Sequence, residues 1–159
     1  MSSSRTGARP LRRRDGSASA YFVCGEMTRE DGMGTAVRLG SLSEFPDGGL
    51  TAVEAGGHKL IVGRKGNEVH VARNRCPHLG FSLTRGPGGL RYEEGVVQCP
   101  WHNSRFDICT GENLDWVTGF AGRTVPRWSR SVIALGRKPR GLDTLSANVR
   151  NGDVYVSVD

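Results

Sequence analysis

The sequence predicts an all-β domain of short antiparallel strands. Three observations carry this. Glycine occurs 23 times in 159 residues, which implies many turns. Apolar residues alternate in short runs and rarely recur at helical spacing. Two such runs flank Asn151-Gly152, the residue pair best suited to a type I′ hairpin turn.

The elements follow in order. Residues 1–34 are rich in Ser, Arg and Gly and are expected to form a mostly disordered basic tail. The folded domain is expected over 35–159. Ala36-Val-Arg-Leu39 begins it as a strand, and Ser41-Leu-Ser-Glu44 has the capping-box pattern of a single helical turn. Pro46-Asp-Gly-Gly49 is a turn. Strands are expected near Leu50–Glu54 and Lys59–Gly63. Lys65-Gly-Asn67 is a hairpin turn into a strand at Glu68–Ala72. Gly95–Gln98 and Arg105–Ile108 are short strands, and Leu145–Arg150 pairs with Val154–Val158. Residues 114–143 fit least well. They are expected to form a long basic loop with a helical turn near Trp128–Leu135.

Net charge is +6 and the sequence pI about 9.6. Arg5, Arg9, Arg12, Arg13 and Arg14 crowd the tail, and Arg123, Arg127, Arg130, Arg137, Lys138 and Arg140 form a second cluster. Such a loop suits an acidic protein partner. No aromatic residues interleave the tail arginines, so nucleic-acid binding is not supported. No apolar run has the length to span a bilayer. Arg12–Arg14 lacks the following apolar stretch of a twin-arginine signal, so a cytoplasmic location is expected.

Chemistry concentrates in Cys76-Pro-His78-Leu-Gly80 and Cys99-Pro-Trp-His102. Each segment pairs a thiolate with an imidazole beside Pro, which stiffens a loop. Two loops of this kind can enclose a metal centre from two sides. A single zinc would accept Cys2His2, and a [2Fe–2S] cluster would accept two Cys on one iron and two His on the other. Cys24 and Cys109 match neither segment and read as small buried apolar residues. His58 and His70 lie in strand-like segments and read as ordinary surface or hydrogen-bonded residues.

The alternation C-x-H…C-x-x-H, with Asn74-Arg-Cys-Pro-His-Leu-Gly80, Cys99-Pro-Trp-His102, Arg105-Phe-Asp107 and Thr110-Gly111, resembles the Rieske ferredoxins and the Rieske domains of ring-hydroxylating oxygenases. The resemblance covers residues 35–113 and 145–158. It implies the antiparallel β-sandwich of Rieske iron–sulfur proteins. It also implies one [2Fe–2S] cluster per chain, with Cys76 and Cys99 on the buried iron and His78 and His102 on the outer one. Ligation would run through histidine Nδ1, leaving Nε2 toward solvent or a partner. Phe81 and Trp101 stand where cytochrome bc-type members carry a disulfide, so the disulfide-free type is implied. Ser104 keeps a hydroxyl near the cluster, whereas Phe106 replaces a tyrosine. Asn103 stands where glycine is usual, and Asn tolerates positive φ.

The expected function is electron transfer, as a ferredoxin component that accepts electrons from a reductase and delivers them to an oxygenase. The alternatives are a redox accessory or regulatory subunit of a larger enzyme and a zinc-stabilised binding module. Only 57 residues and no His follow His102, so a 2-His-1-carboxylate iron site of a terminal oxygenase is not expected in this chain. The chain reads as an electron carrier rather than a catalyst.

Overall fold

The computed structural model describes residues 35–158. The expected tail, and Cys24 with it, lies outside the described residues.

The strand signals resolve into antiparallel sheets. The central one has the order β11-β4-β3-β2, from β2 (Leu50–Ala55), β3 (His58–Lys65), β4 (Glu68–Arg73) and β11 (Thr144–Leu145). Its hairpin turns through Gly66-Asn67, with Lys65 opposite Glu68. The run Leu60-Ile-Val-Gly63 looks too continuously apolar for a strand with one wet face, and both faces are in fact covered. Leu60 and Val62 point into one core with Phe45, Val69, Val71, Val154 and Val156. Ile61 and Ala72 point into the other, with Leu83, Val97, Phe106 and Ile108. This is the period-two alternation of a strand used twice.

A three-stranded sheet covers the first face. It consists of β1 (Thr35–Ser41), β13 (Asp153–Val158) and β12 (Ala147–Arg150) in the order β1-β13-β12. Asn151 (φ +51°) and Gly152 (φ +80°) form its turn, with Arg150 opposite Asp153. The expected helical turn is a single 3-10 turn at Leu42–Glu44, where the Ser41 N–H donates to Glu44 Oε2 at 2.6 Å.

A second four-stranded sheet covers the other face: β5 (Arg91–Glu93), β6 (Val96–Gln98), β7 (Arg105–Asp107) and β8 (Asn113–Asp115), in sequence order. The turn from β6 to β7 is the second Cys–His segment.

Residues 114–143 are more ordered than the expected loop. They complete β8, form a small hairpin of β9 (Gly119–Phe120) and β10 (Arg123–Thr124), and add helix α1 (Arg127–Ile133). Helix α1 coincides with the expected helical turn. It buries none of its residues, and Trp128 and Val132 are strongly exposed. Among the described residues, no helix is long and apolar enough to cross a membrane.

Candidate metal centre

The two Cys–His segments become loops of the same design. Loop 1 leaves β4 and loop 2 leaves β6. In loop 1 the Cys76 N–H donates to Phe81 O (2.7 Å), and Cys76 O accepts the Gly80 N–H (2.8 Å). In loop 2 the Cys99 N–H donates to Ser104 O (2.8 Å), and Cys99 O accepts the Asn103 N–H (3.1 Å). Each cysteine thus bonds to the residues four and five positions ahead. The fourth position must turn left-handed to close this ring, and Gly80 (φ +78°) and Asn103 (φ +57°) both do so. Asn at position 103 therefore satisfies the backbone requirement that glycine meets in loop 1.

Asn103 also adds something glycine cannot. Its buried side chain donates from Nδ2 to Arg123 O (3.0 Å) and accepts from the Gly122 N–H at Oδ1 (3.0 Å). One amide thus ties the β9–β10 hairpin to loop 2. Ser104 is fully buried, and its Oγ accepts the N–H of Val117, a buried residue at φ +48°. Ser104→Ala leaves that N–H without a partner, and we expect a loss of about 1–3 kcal/mol in denaturant unfolding. A change below a few tenths would mean the bond contributes nothing net.

The structure brings Cys76, His78, Cys99 and His102 together. The two thiols are buried, unbridged and within hydrogen-bonding reach of each other. The shared hydrogen bond, helped by the His102 and Trp101 N–H groups, lowers the Cys99 thiol to about 7. The same bond and burial push Cys76 upward, because two thiolates side by side repel. A positive centre would relieve that repulsion.

The imidazoles face each other Nδ1 to Nδ1 at 3.3 Å, with the rings nearly perpendicular at 82°. Burial lowers both pKa values and so favours the neutral, metal-binding form. The tautomer of His78 follows from its other contact. Its Nε2 lies 3.3 Å from the Ala134 carbonyl. A carbonyl only accepts, so Nε2 carries the proton and Nδ1 keeps its lone pair. The backbone after α1 thereby orients one imidazole as an outer partner orients a metal ligand.

The expectation that both Nε2 atoms face solvent or a partner fails at His78. That residue is fully buried. Trp116 packs edge-on against its ring at 5.5 Å, and the Trp116 indole N–H donates to Arg137 O at 3.1 Å. The Ala134 carbonyl is the group that sequence reasoning missed, together with the packing of Trp116 on the His78 ring. A Trp between Cys–His loops and a basic segment was a signal, but no pattern marks a backbone carbonyl.

The residues in place of a disulfide are themselves paired. Phe81 and Trp101 stack at 4.6 Å and 27°, joining the two loops without a covalent bond. The Trp101 N–H donates to Arg85 O (3.1 Å). Phe106 is fully buried in the core beneath. His58 and His70 lie in the strands as expected; His58 Nδ1 is 2.8 Å from an Arg73 guanidinium nitrogen, and His70 is 3.9 Å from Glu68. Cys109 differs from expectation, being half-buried and disulfide-bonded rather than packed as an apolar thiol.

The donor set fits an iron–sulfur cluster. It consists of a pair of buried thiols and a pair of facing Nδ1 atoms.

A sandwich bearing two equivalent Cys–His loops over its second sheet defines a Rieske-type iron–sulfur module. The chain belongs to the Rieske [2Fe-2S] domain family, whose pattern matches residues 35–119, and the cofactor of that family is a [2Fe–2S] cluster. Apoptosis-inducing factor 3 of Mus musculus is 32% identical over 75 residues, which is 47% of this chain and 12% of that protein. The ferredoxin component of the naphthalene 1,2-dioxygenase system of Pseudomonas aeruginosa is 32% identical over 46% of this chain and 67% of its own length. The oxygenase component of 3-ketosteroid-9-alpha-monooxygenase of Rhodococcus rhodochrous is 33% identical over 74% of this chain and 26% of its own length. The chain thus spans only a small part of the first and third of these relatives. Among solved structures, the ferredoxin of carbazole 1,9a-dioxygenase from Nocardioides aromaticivorans IC177 has the same fold. The TM-score is 0.56 at 23% identity, covering 79% of this chain and 99% of that one.

Proposed function

We propose that Cys76 and Cys99 hold one iron of the cluster, that His78 and His102 hold the other through Nδ1, and that the chain carries single electrons between a reductase and an oxygenase. The observation that carries this reading is the facing pair of Nδ1 atoms at 3.3 Å opposite a pair of buried thiols. Bound there, a [2Fe–2S] cluster supplies one-electron oxidation and reduction. The protein supplies the rest. The buried Leu83, Val97 and Ile108 share one core with both thiols, and Trp101 packs against it, so water is excluded from the thiol side. The Ala134 carbonyl holds the His78 tautomer. The domain reading is residues 35–159 as one Rieske unit preceded by a basic tail. The same reading places the chain in the cytoplasm beside aqueous redox partners.

A second reading has support from one alignment. The match to the 3-ketosteroid-9-alpha-monooxygenase oxygenase component runs over 120 residues, beyond the 75 shared with the ferredoxin component. That favours an electron-transfer domain working inside an oxygenase assembly.

Both readings require a reducible cluster. Purified chain is expected to be coloured, to take up about one electron per chain from dithionite, and to show a rhombic EPR signal when reduced. Colourless protein holding one zinc per chain would replace both readings with the zinc-stabilised module.

A further inference from the structure

The cluster loops do not present their two histidines equally. His78 is fully buried beneath the segment that leaves α1, with Nε2 on the Ala134 carbonyl and its ring against Trp116. Trp116 is itself bonded to Arg137 O, which pins the same segment. His102 is different. It is only half-buried, and no described residue hydrogen-bonds its Nε2.

Apolar side chains that a folded domain usually hides stand beside the open histidine. Phe81 is 38% exposed and Phe120 is 50% exposed. Their rings lie 6.4 Å and 5.8 Å from the His102 ring, so they flank it closely. Phe120 is held in place because its hairpin is tied to loop 2 through Asn103.

Charge completes the surface. The three segments that frame His102, residues 74–85, 99–105 and 117–126, contain Arg75, Arg85, Arg105 and Arg123 and no carboxylate. Arg75, Arg85 and Arg123 are exposed, and Arg105 pairs with Asp115 outside these segments. An apolar centre inside a basic rim suits a partner with the opposite rim.

We infer that the chain has a single electron port, the edge of His102 framed by Phe81 and Phe120, that the segment after α1 closes the His78 side, and that the port docks a redox protein with an apolar centre and an acidic rim. This rests on the electron-transfer reading above. The exposed stripe of Trp128, Val132 and Leu135 on and after α1 is the competing face for electron exit, and the experiment separates the two.

The first measurement is labelling of the cluster-loaded protein with diethyl pyrocarbonate, followed by peptide mass mapping. His102 should be modified and His78 protected until the protein unfolds. The second is the rate at which ferricyanide, a small trianion, oxidises the dithionite-reduced protein at low ionic strength. Phe120→Glu should slow it by about threefold or more, while Trp128→Glu, the same charge change on α1, should stay within about 1.5-fold. The EPR spectrum of each variant verifies that its cluster is intact. Labelling of His78 as fast as His102, or a larger effect from Trp128→Glu, overturns the single port. Absence of any [2Fe–2S] signal in the unaltered chain overturns the electron-transfer reading instead.

Discussion

Cys99→Ser is expected to yield a chain with less than about a tenth of the normal cluster content. The reason lies in the loop rather than in the motif alone. Cys99 is the thiol that the Cys76 hydrogen bond and the Trp101 and His102 N–H groups already bias toward thiolate. A serine hydroxyl holds its proton far more tightly and is a harder donor, so it cannot replace a thiolate on iron. The backbone hydrogen bonds from Cys99 to Ser104 and Asn103 use no side-chain atom and should survive. The variant should therefore keep most of its far-ultraviolet dichroism while losing its visible absorption and EPR signal. A variant that retained a full [2Fe–2S] spectrum would remove Cys99 from the ligand set. One that instead bound stoichiometric zinc would show that the pocket accepts a different metal once the thiol pair is broken.

What was legible beforehand follows from how local each signal was. The Asn151-Gly152 hairpin, the Gly66 turn and the twin Cys–His loops depend on residues adjacent in the chain, and each is where its residues indicate. The double-sided burial of β3 was only hinted at by Leu60-Ile-Val, because which face is covered depends on strands as distant as β13, which supplies Val154 and Val156. The strands β5, β8, β9 and β10 have only two or three residues each, too few for a period to register. The closing of His78 was illegible for a further reason. It is made by a backbone carbonyl and by an indole whose partner is another carbonyl. A main-chain acceptor has no sequence identity, so only the path of residues 134–137 reveals it. The Phe81–Trp101 stack lies between these cases. The missing cysteines were readable, but the replacement of a covalent link by two stacked rings needed the geometry.

Gly119→Ala is expected to be the most destabilising single-methyl change outside the two Cys–His pairs. Gly119 is buried where β9 passes β10 and loop 2 at once. A methyl group there would fall on the Arg123 carbonyl and on the Asn103 side-chain amide. The first is backbone and cannot rotate away. The second is the group that ties the hairpin to loop 2, so moving it breaks the Nδ2 bond to Arg123 O and loosens the Oδ1 bond from Gly122. Overpacking against backbone plus the loss of one or two buried hydrogen bonds amounts to roughly 3 kcal/mol. In a domain of this size that corresponds to a Tm lower by about 10 °C. The consequence reaches the cluster through Asn103, whose left-handed backbone closes the loop between Cys99 and Ser104. Cluster loss from Gly119→Ala on mild heating should therefore begin before global unfolding, followed as bleaching of visible absorption against far-ultraviolet dichroism. Asn103→Gly supplies the separation of terms. It keeps the positive φ and removes both side-chain bonds, so it should loosen the hairpin yet leave loop 2 closed. If Asn103→Gly bleached as early as Gly119→Ala, the tie between hairpin and loop would outweigh the steric clash. If neither variant bleached ahead of unfolding, the hairpin would have no part in holding the cluster loop.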